Sequence, residues 1–104
     1  MSVQETIETT IKSNKVVLYM KGNADFPQCG FSARSVAILR HLGVEFHSVD
    51  VLADPEVRQG IKDFASWPTI PQLYIDGEFV GGSDIMMQLF ESGDLERLVS
   101  TEQA

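Results

Sequence analysis

The sequence predicts an α/β fold with three layers, in which helices flank a mixed four-stranded sheet. The continuous apolar run Val16–Met20 is typical of a strand that is covered on both faces. A strand, a helix and a second strand follow one another up to Val51, which predicts a right-handed parallel βαβ unit. Asp76-Gly77 between two short apolar segments predicts an antiparallel hairpin. The 104 residues hold one domain, 1–104, because the chain is short and has no linker or repeat.

The first half of the chain carries clear start and stop signals. Ser2 followed by Glu5 forms a capping box, which predicts a first helix with an apolar stripe at Val3, Ile7 and Ile11. After the strand Val16–Met20, the polar segment 22–28 predicts a loop. The next helix begins near Cys29 and ends at Gly43. Its residues at helical spacing are Phe31, Ser35, Ile38, Leu39 and Leu42.

In the second half, proline and glycine set the boundaries. A strand is predicted at Glu45–Val51 and a helix after Asp54-Pro55, although Gly60 costs that helix about 1 kcal/mol relative to Ala. The inward side chains of that helix are Val57, Ile61, Phe64 and Ala65. Trp67–Pro71 excludes helix because of its two prolines. Hairpin strands are predicted at Gln72–Ile75 and Glu78–Val80.

The C-terminal part predicts two further helices. Ser83 and Asp84 are expected to cap the first of them, and Gly93 ends it. Its buried side carries Ile85, Met86, Leu89 and Phe90. A short last helix buries Leu95, Leu98 and Val99.

Composition excludes several classes of function. Eight Lys and Arg residues against fifteen Asp and Glu residues give a formal charge of −7, which disfavours nucleic acid as a partner. The apolar runs are too short to cross a membrane, and the acidic N-terminus does not resemble a targeting peptide. Cys29 is the single cysteine, so a disulfide scaffold is excluded and a reducing compartment is expected. We predict a cytoplasmic protein, with a bacterial cytosol favoured by the Met1 start and an organelle matrix left open.

Cys29 is the first candidate for chemistry. A lone cysteine is more often a small buried apolar residue. At the start of a helix, however, free amides and the helix dipole favour the thiolate, and Lys21 at the end of the preceding strand adds a positive charge. Pro71 is a second signal, since a cis bond there would expose the Ile70 backbone to a ligand, although an ordinary trans turn is equally compatible. The segment 81–84 is either an anion site or a simple helix cap.

These residues carry a resemblance to a known family. Cys29-Gly30-Phe31-Ser32, preceded by Lys21 and by Pro27-Gln28, resembles the active site of the monothiol glutaredoxins of the CGFS type. The segments 67–74, 76–77 and 81–84 extend this resemblance over essentially the whole chain. It implies a thioredoxin-like fold with a cis Pro71. Two positions depart from the family pattern: Ser83 stands where a second cysteine is frequent, and Asn23-Ala24 replace the usual residues after Lys21-Gly22.

The resemblance implies a glutathione site. Its residues are Lys21, Arg58, Thr69, Ile70, Gly82, Ser83 and Asp84. Lys21 and Arg58 would hold the glycine carboxylate, and the Ile70 backbone, next to Thr69, would pair with the cysteinyl part as an added strand does. The amides of Gly82 and Ser83 would bind the γ-glutamyl carboxylate, and Asp84 would bind the ammonium group.

The resemblance also implies a [2Fe-2S] cluster. Such a cluster needs four ligands, and each chain offers one thiolate, Cys29. His41 and His47 have simpler interpretations, at a helix end and within a strand. We therefore expect a homodimer that holds a labile cluster through two Cys29 thiolates and two glutathiones. It would receive clusters from an assembly scaffold and pass them to apo iron-sulfur proteins, with BolA-like proteins as further partners.

Two other functions are compatible with the sequence. The first is a glutathione-dependent thiol-disulfide oxidoreductase that removes glutathione from proteins through the Cys29 thiolate; at most weak activity of this kind is expected. Ser32 in place of a second thiol excludes the dithiol route and leaves the monothiol route open. The second is a redox-inert interaction domain, which would have an unreactive Cys29 and no glutathione site.

Overall fold

The computed structural model describes residues 2–100, and these residues form five helices and one four-stranded sheet. The helices are α1 (Val3–Ser13), α2 (Gly30–His41), α3 (Pro55–Ala65), α4 (Ser83–Ser92) and α5 (Asp94–Ser100). The strands are β1 (Val16–Met20), β2 (His47–Asp50), β3 (Gln72–Ile75) and β4 (Glu78–Gly81). The predicted architecture, a mixed sheet of four strands flanked by helices, is confirmed.

The sheet has the order β2-β1-β3-β4. β1 and β2 are parallel, with Met20 opposite Asp50, as expected of a βαβ unit. β1 and β3 are antiparallel, and β3 and β4 form the hairpin around Asp76-Gly77. Because the fully buried β1 runs between β2 and β3, its C-terminal end brings Lys21 to the edge of the sheet where α2 begins.

The two faces of the sheet carry separate cores. α1 and α3 cover one face, where Tyr19 packs with Ile61, and α2, α4 and α5 cover the other, where Leu18 packs with Leu39. Gly60 permits the close approach of α1 to α3, since a Cβ there would lie 3.1 Å from a methyl group of Val3. The predicted cost of Gly60 to its helix is therefore offset by packing.

Two predictions about individual elements are wrong. β2 is His47–Asp50 and is shorter than the predicted Glu45–Val51, because its pairing with β1 runs only from Val17 opposite His47 to Met20 opposite Asp50, where β1 ends. Leu98 is 40% exposed, because α5 buries only the stripe of Leu95 and Val99.

Among residues 2–100, no helix has the length and apolarity that a membrane crossing needs.

Candidate functional site

Cys29 is the N-cap of α2, so its backbone is extended while its side chain faces the first helical turn. The Ser32 amide donates to Cys29 Sγ at 3.3 Å, and Ser32 Oγ lies 3.3 Å from the same sulfur. Ser32 is completely buried, and its hydroxyl accepts a hydrogen bond of 3.1 Å from the Lys21 amide. A hydroxyl that accepts from the Lys21 amide still has its own proton to donate, so Ser32 Oγ accepts from the Cys29 thiol and donates to the Cys29 thiolate.

The pKa of the Cys29 thiol lies below its ordinary value. Burial alone would raise this pKa, because it disfavours the charged form. The Ser32 hydroxyl, the Ser32 and Phe31 amides and the positive charge of Lys21 outweigh burial and stabilise the thiolate. A partly buried sulfur with a lowered pKa has the properties of a reactive cysteine.

The loop 22–28 fixes Lys21 relative to Cys29. Gly22 has φ 87°, and a Cβ there would lie 2.5 Å from the Phe26 carbonyl oxygen, so a side chain is excluded. Its amide donates to Asp50 Oδ1 at 2.9 Å. The Asn23 side chain accepts hydrogen bonds from the amides of Asp25 and Phe26, which closes the turn. Asn23, which departs from the family pattern after Lys21-Gly22, therefore closes the turn of this loop.

A cleft of about 410 Å³ lies beside Cys29. Its wall includes all seven residues that were predicted for glutathione: Lys21, Arg58, Thr69, Ile70, Gly82, Ser83 and Asp84. Cys29 itself does not line the cleft; its neighbours in the fold, Lys21 and Phe31, do. The Ile70–Pro71 peptide bond is cis, as the family resemblance implied and as the residues alone left open. The structure thus gathers the predicted binding residues, and their role as ligands stays a prediction.

The positive charges of the described residues are divided between two regions. Lys12, Lys15, Arg40 and Arg97 form ion pairs with carboxylates. In residues 2–100, no ion pair holds Lys21, Arg58 or Lys62, and all three line the cleft. The Arg34 Cζ lies 5.9 Å from the centre of the Phe31 ring, and Phe31 lines the cleft. An acidic protein thus presents its uncompensated cations on one surface, which favours an anionic ligand.

Lys62, Phe31 and Trp67 are among the cleft residues that sequence reasoning did not assign to the site. Lys62 lies one helical turn after Arg58 on α3, and this spacing of four residues was the available signal. Phe31 was expected on the buried side of its helix, but it is 56% exposed because it occupies the first turn, beyond the sheet. Trp67 is the chain's single tryptophan and also lines the cleft, with its ring 5.6 Å from that of Phe79.

The start of α4 differs from the prediction. Ser83 and Asp84 are not caps; the N-cap is Gly82, and no side chain bonds the free amides there. Ser83 Oγ is buried and has no hydrogen-bond partner within residues 2–100. The first turn of α4 therefore offers unpaired backbone donors and one unpaired hydroxyl to the cleft.

Neither histidine lies in a metal-binding group. His41 is exposed, with its ring against Phe90 at 5.4 Å, and His47 is exposed on β2. Within residues 2–100, no group of three or more His, Cys, Asp or Glu side chains is placed to hold a metal ion.

Comparison with known proteins identifies the family. Residues 16–80 match the glutaredoxin family model. A ycf64-like monothiol glutaredoxin of Synechocystis sp. is 52% identical over 94% of this chain and 92% of its own length. A probable monothiol glutaredoxin of Rickettsia conorii is 57% identical over 89% of this chain and 87% of its own. The rice chloroplastic monothiol glutaredoxin-S7 is 55% identical over 90% of this chain, which spans 56% of that protein.

Solved structures agree in fold. The reduced apo form of poplar GrxS14 has a TM-score of 0.81 and 52% identity, over 91% of this chain and 87% of that one. A buckwheat glutaredoxin solved with glutathione has a TM-score of 0.84 over 94% of this chain and 87% of that one, and its 19% identity establishes likeness of fold only. The chain belongs to the glutaredoxin family, has the thioredoxin-like fold, and is similar over most of its length to the monothiol members.

Proposed function

We propose that this protein binds glutathione in the cleft beside Cys29 and carries a labile [2Fe-2S] cluster as cargo from an assembly scaffold to apo iron-sulfur proteins. The observation that carries the proposal is that Lys21, which helps to lower the pKa of the Cys29 thiol, also lines a cleft together with Arg58 and Lys62, and none of these three cations forms an ion pair within residues 2–100. A small anionic thiol fits both features. The cations attract its carboxylates, and its sulfur would stand next to that of Cys29.

The cleft matches the charges of glutathione at both of its ends. Lys21 and Arg58 supply the cationic end for the glycine carboxylate. At the other end, the uncapped first turn of α4 offers amides to the γ-glutamyl carboxylate, and the exposed Asp84 carboxylate meets the ammonium group. Ile70, next to Thr69 in the wall, supplies the backbone for strand-like pairing with the cysteinyl part. The buckwheat glutaredoxin, which shares the fold, was solved with glutathione.

The donor set of the chain limits how a cluster is held. A [2Fe-2S] cluster takes four ligands, and Cys29 is the chain's single thiol. Two copies supply two thiolates, and two bound glutathiones supply the other two, which requires a homodimer bridged by the cargo. Ligands that dissociate make the cluster labile, and lability suits transfer. We propose a reducing cytosol as the compartment, and BolA-like proteins among the partners.

A second candidate function rests on the lowered pKa of Cys29. The Cys29 thiolate would attack the glutathione sulfur of a protein mixed disulfide, and the protein thiolate would leave and take up a proton. A second glutathione thiolate would then attack the sulfur of the glutathione bound to Cys29. This step forms oxidised glutathione and regenerates the Cys29 thiolate, so electrons balance without a further reactant.

One experiment separates these functions. The protein is incubated anaerobically with iron, sulfide and glutathione, and its visible absorption spectrum and oligomeric mass are recorded. We expect a brown dimer that loses both colour and dimer in Cys29→Ser. As a matched control, Ser13→Ala at the exposed end of α1 should leave both unchanged. A colourless monomer from the unaltered chain, with rapid turnover of a glutathionylated peptide, would favour the oxidoreductase instead.

A further inference from the structure

Gln72 carries a buried polar side chain directly behind the cleft. It is the first residue of β3 and has no exposed surface. Its Nε2 donates to the backbone carbonyls of Trp67 and Thr69, each at 3.2 Å, and its Oε1 accepts from the Tyr74 hydroxyl at 3.0 Å. A buried amide with three hydrogen bonds in fixed directions specifies the conformation of the backbone that it contacts.

The contacted backbone is the wall segment, residues 67–70, which lies between α3 and β3. Two prolines in the stretch 67–71 have no N–H to donate, and the stretch belongs to no helix or strand. The Trp67 amide is held by the Lys62 carbonyl at 3.0 Å. The side chains of Trp67, Pro68 and Thr69 are exposed while they line the cleft, so little packing fixes them from the front.

Tyr74 holds the Gln72 amide in place from within the core. Its ring packs against Tyr19 at 5.8 Å and against Phe79 at 5.5 Å. Phe79 in turn contacts the Trp67 ring. The aromatic core therefore reaches the wall segment by two routes: the hydrogen bonds of Gln72, and the tilted ring contact between Phe79 and Trp67.

We propose that Gln72 is a positioning residue for ligand binding: it replaces the missing backbone ladder of the wall segment and holds that segment in the conformation that receives glutathione. This inference rests on the proposed glutathione site. It assigns no contact between Gln72 and the ligand, because the side chain is completely buried. Gln72 would act on binding indirectly. It holds the carbonyls of Trp67 and Thr69, these fix the wall segment that includes Ile70, and the Ile70 backbone would pair with the ligand.

The test uses Gln72→Met, which keeps the length of the side chain and removes its three hydrogen bonds. Trp67 fluorescence reports glutathione binding directly, since it is the single tryptophan and lines the cleft. Two backbone hydrogen bonds are lost, and a neutral bond contributes about 1 kcal/mol, so we expect the dissociation constant to rise by between about fivefold, the equivalent of one bond, and about thirtyfold, the equivalent of both. Acrylamide quenching of Trp67 in the free protein should also increase. The pH profile of Cys29 alkylation should stay unchanged, because Gln72 does not contact the thiol.

Two more variants separate positioning from general destabilisation. Val99→Ala removes buried atoms from α5, on the other face of the sheet, and should lower stability without changing glutathione affinity or Trp67 quenching. Tyr74→Phe removes only the hydroxyl that orients the Gln72 amide, and it should weaken glutathione binding by about twofold. This variant provides the test if Gln72→Met does not fold.

Equal glutathione affinity and equal Trp67 quenching in the unaltered chain, Gln72→Met and Tyr74→Phe would overturn the inference and leave the proposed function intact. Weakening by Val99→Ala to the same extent as by Gln72→Met would also overturn it. An unaltered chain that binds no glutathione overturns the proposed function and this inference together.

Discussion

Replacing Arg58 and Lys62 together by Gln removes two cleft cations and leaves Cys29 untouched. Both side chains line the cleft from one face of α3, and neither is paired with a carboxylate in residues 2–100. A solvent-accessible contact between opposite charges contributes about 0.2–1 kcal/mol. Loss of two such contacts raises the dissociation constant of glutathione by roughly twofold to thirtyfold. Titration calorimetry at low and high salt measures this loss, which should shrink as salt screens the charges.

The matched control is the pair Lys12→Gln and Lys15→Gln. Either pair of changes lowers the formal charge by two, from −7 to −9. Lys12 and Lys15 already pair with Glu8 and Asp76, and Lys15 precedes β1, at the opposite edge of the sheet from Lys21. Their loss should change affinity little. Equal weakening by both pairs would refute the reasoning, because it would mean that the total charge, and not the charge within the cleft, attracts the ligand.

Three further predictions concern the thiolate, the core and alkaline pH. Ser32→Ala should raise the pKa of Cys29 and slow its alkylation by iodoacetamide at neutral pH; an unchanged pH profile would exclude the hydroxyl as a donor. Leu39→Ala, at a fully buried position, should lower the free energy of unfolding in urea by about 2–5 kcal/mol. Burial raises the pKa of Tyr19 from 10.0 to about 12. A group whose pKa is raised by folding contributes stability that is fully present below its unfolded pKa and is lost as the pH rises to its folded pKa. The free energy of unfolding should therefore fall between about pH 10 and 12, and it should fall less steeply in Tyr19→Phe.

Features that depend on neighbouring residues were predictable from the sequence. The capping box forms as expected, with the Glu5 amide donating to Ser2 Oγ at 3.1 Å and the Ser2 amide donating to Glu5 Oε1 at 2.9 Å. The hairpin forms because Asp76 and Gly77 adopt positive φ angles of 54° and 81°, which this pair tolerates better than most residues. In both cases the residues that determine the structure lie within a few positions of one another.

The cleft was not predictable in this way, because its residues come from separate elements. Ser32 acquires its role from the Lys21 amide, eleven positions away, and no local pattern reports that bond. The spacing of apolar residues predicted that Phe31 is buried, but this spacing carries no information about where the sheet ends. The resemblance to a family grouped seven of the cleft residues, but Lys62 and Trp67 became visible only when α3 and the segment after it were placed beside Lys21.

The same arrangement explains what a single cysteine can do in this fold. Ser32 occupies the position, three residues after Cys29, from which a second thiol would attack a disulfide on Cys29. Its hydroxyl cannot attack in that way, yet it supports the thiolate, so Cys29 is activated without an internal thiol to displace what it binds. Because Cys29 is the single cysteine, release of a thiol that is bound to it as a mixed disulfide needs a thiol from outside the chain. A set of metal ligands with more than one thiolate would need an outside thiol as well. Under the proposed function, the cleft cations that form no ion pair within residues 2–100 would attract an anionic one.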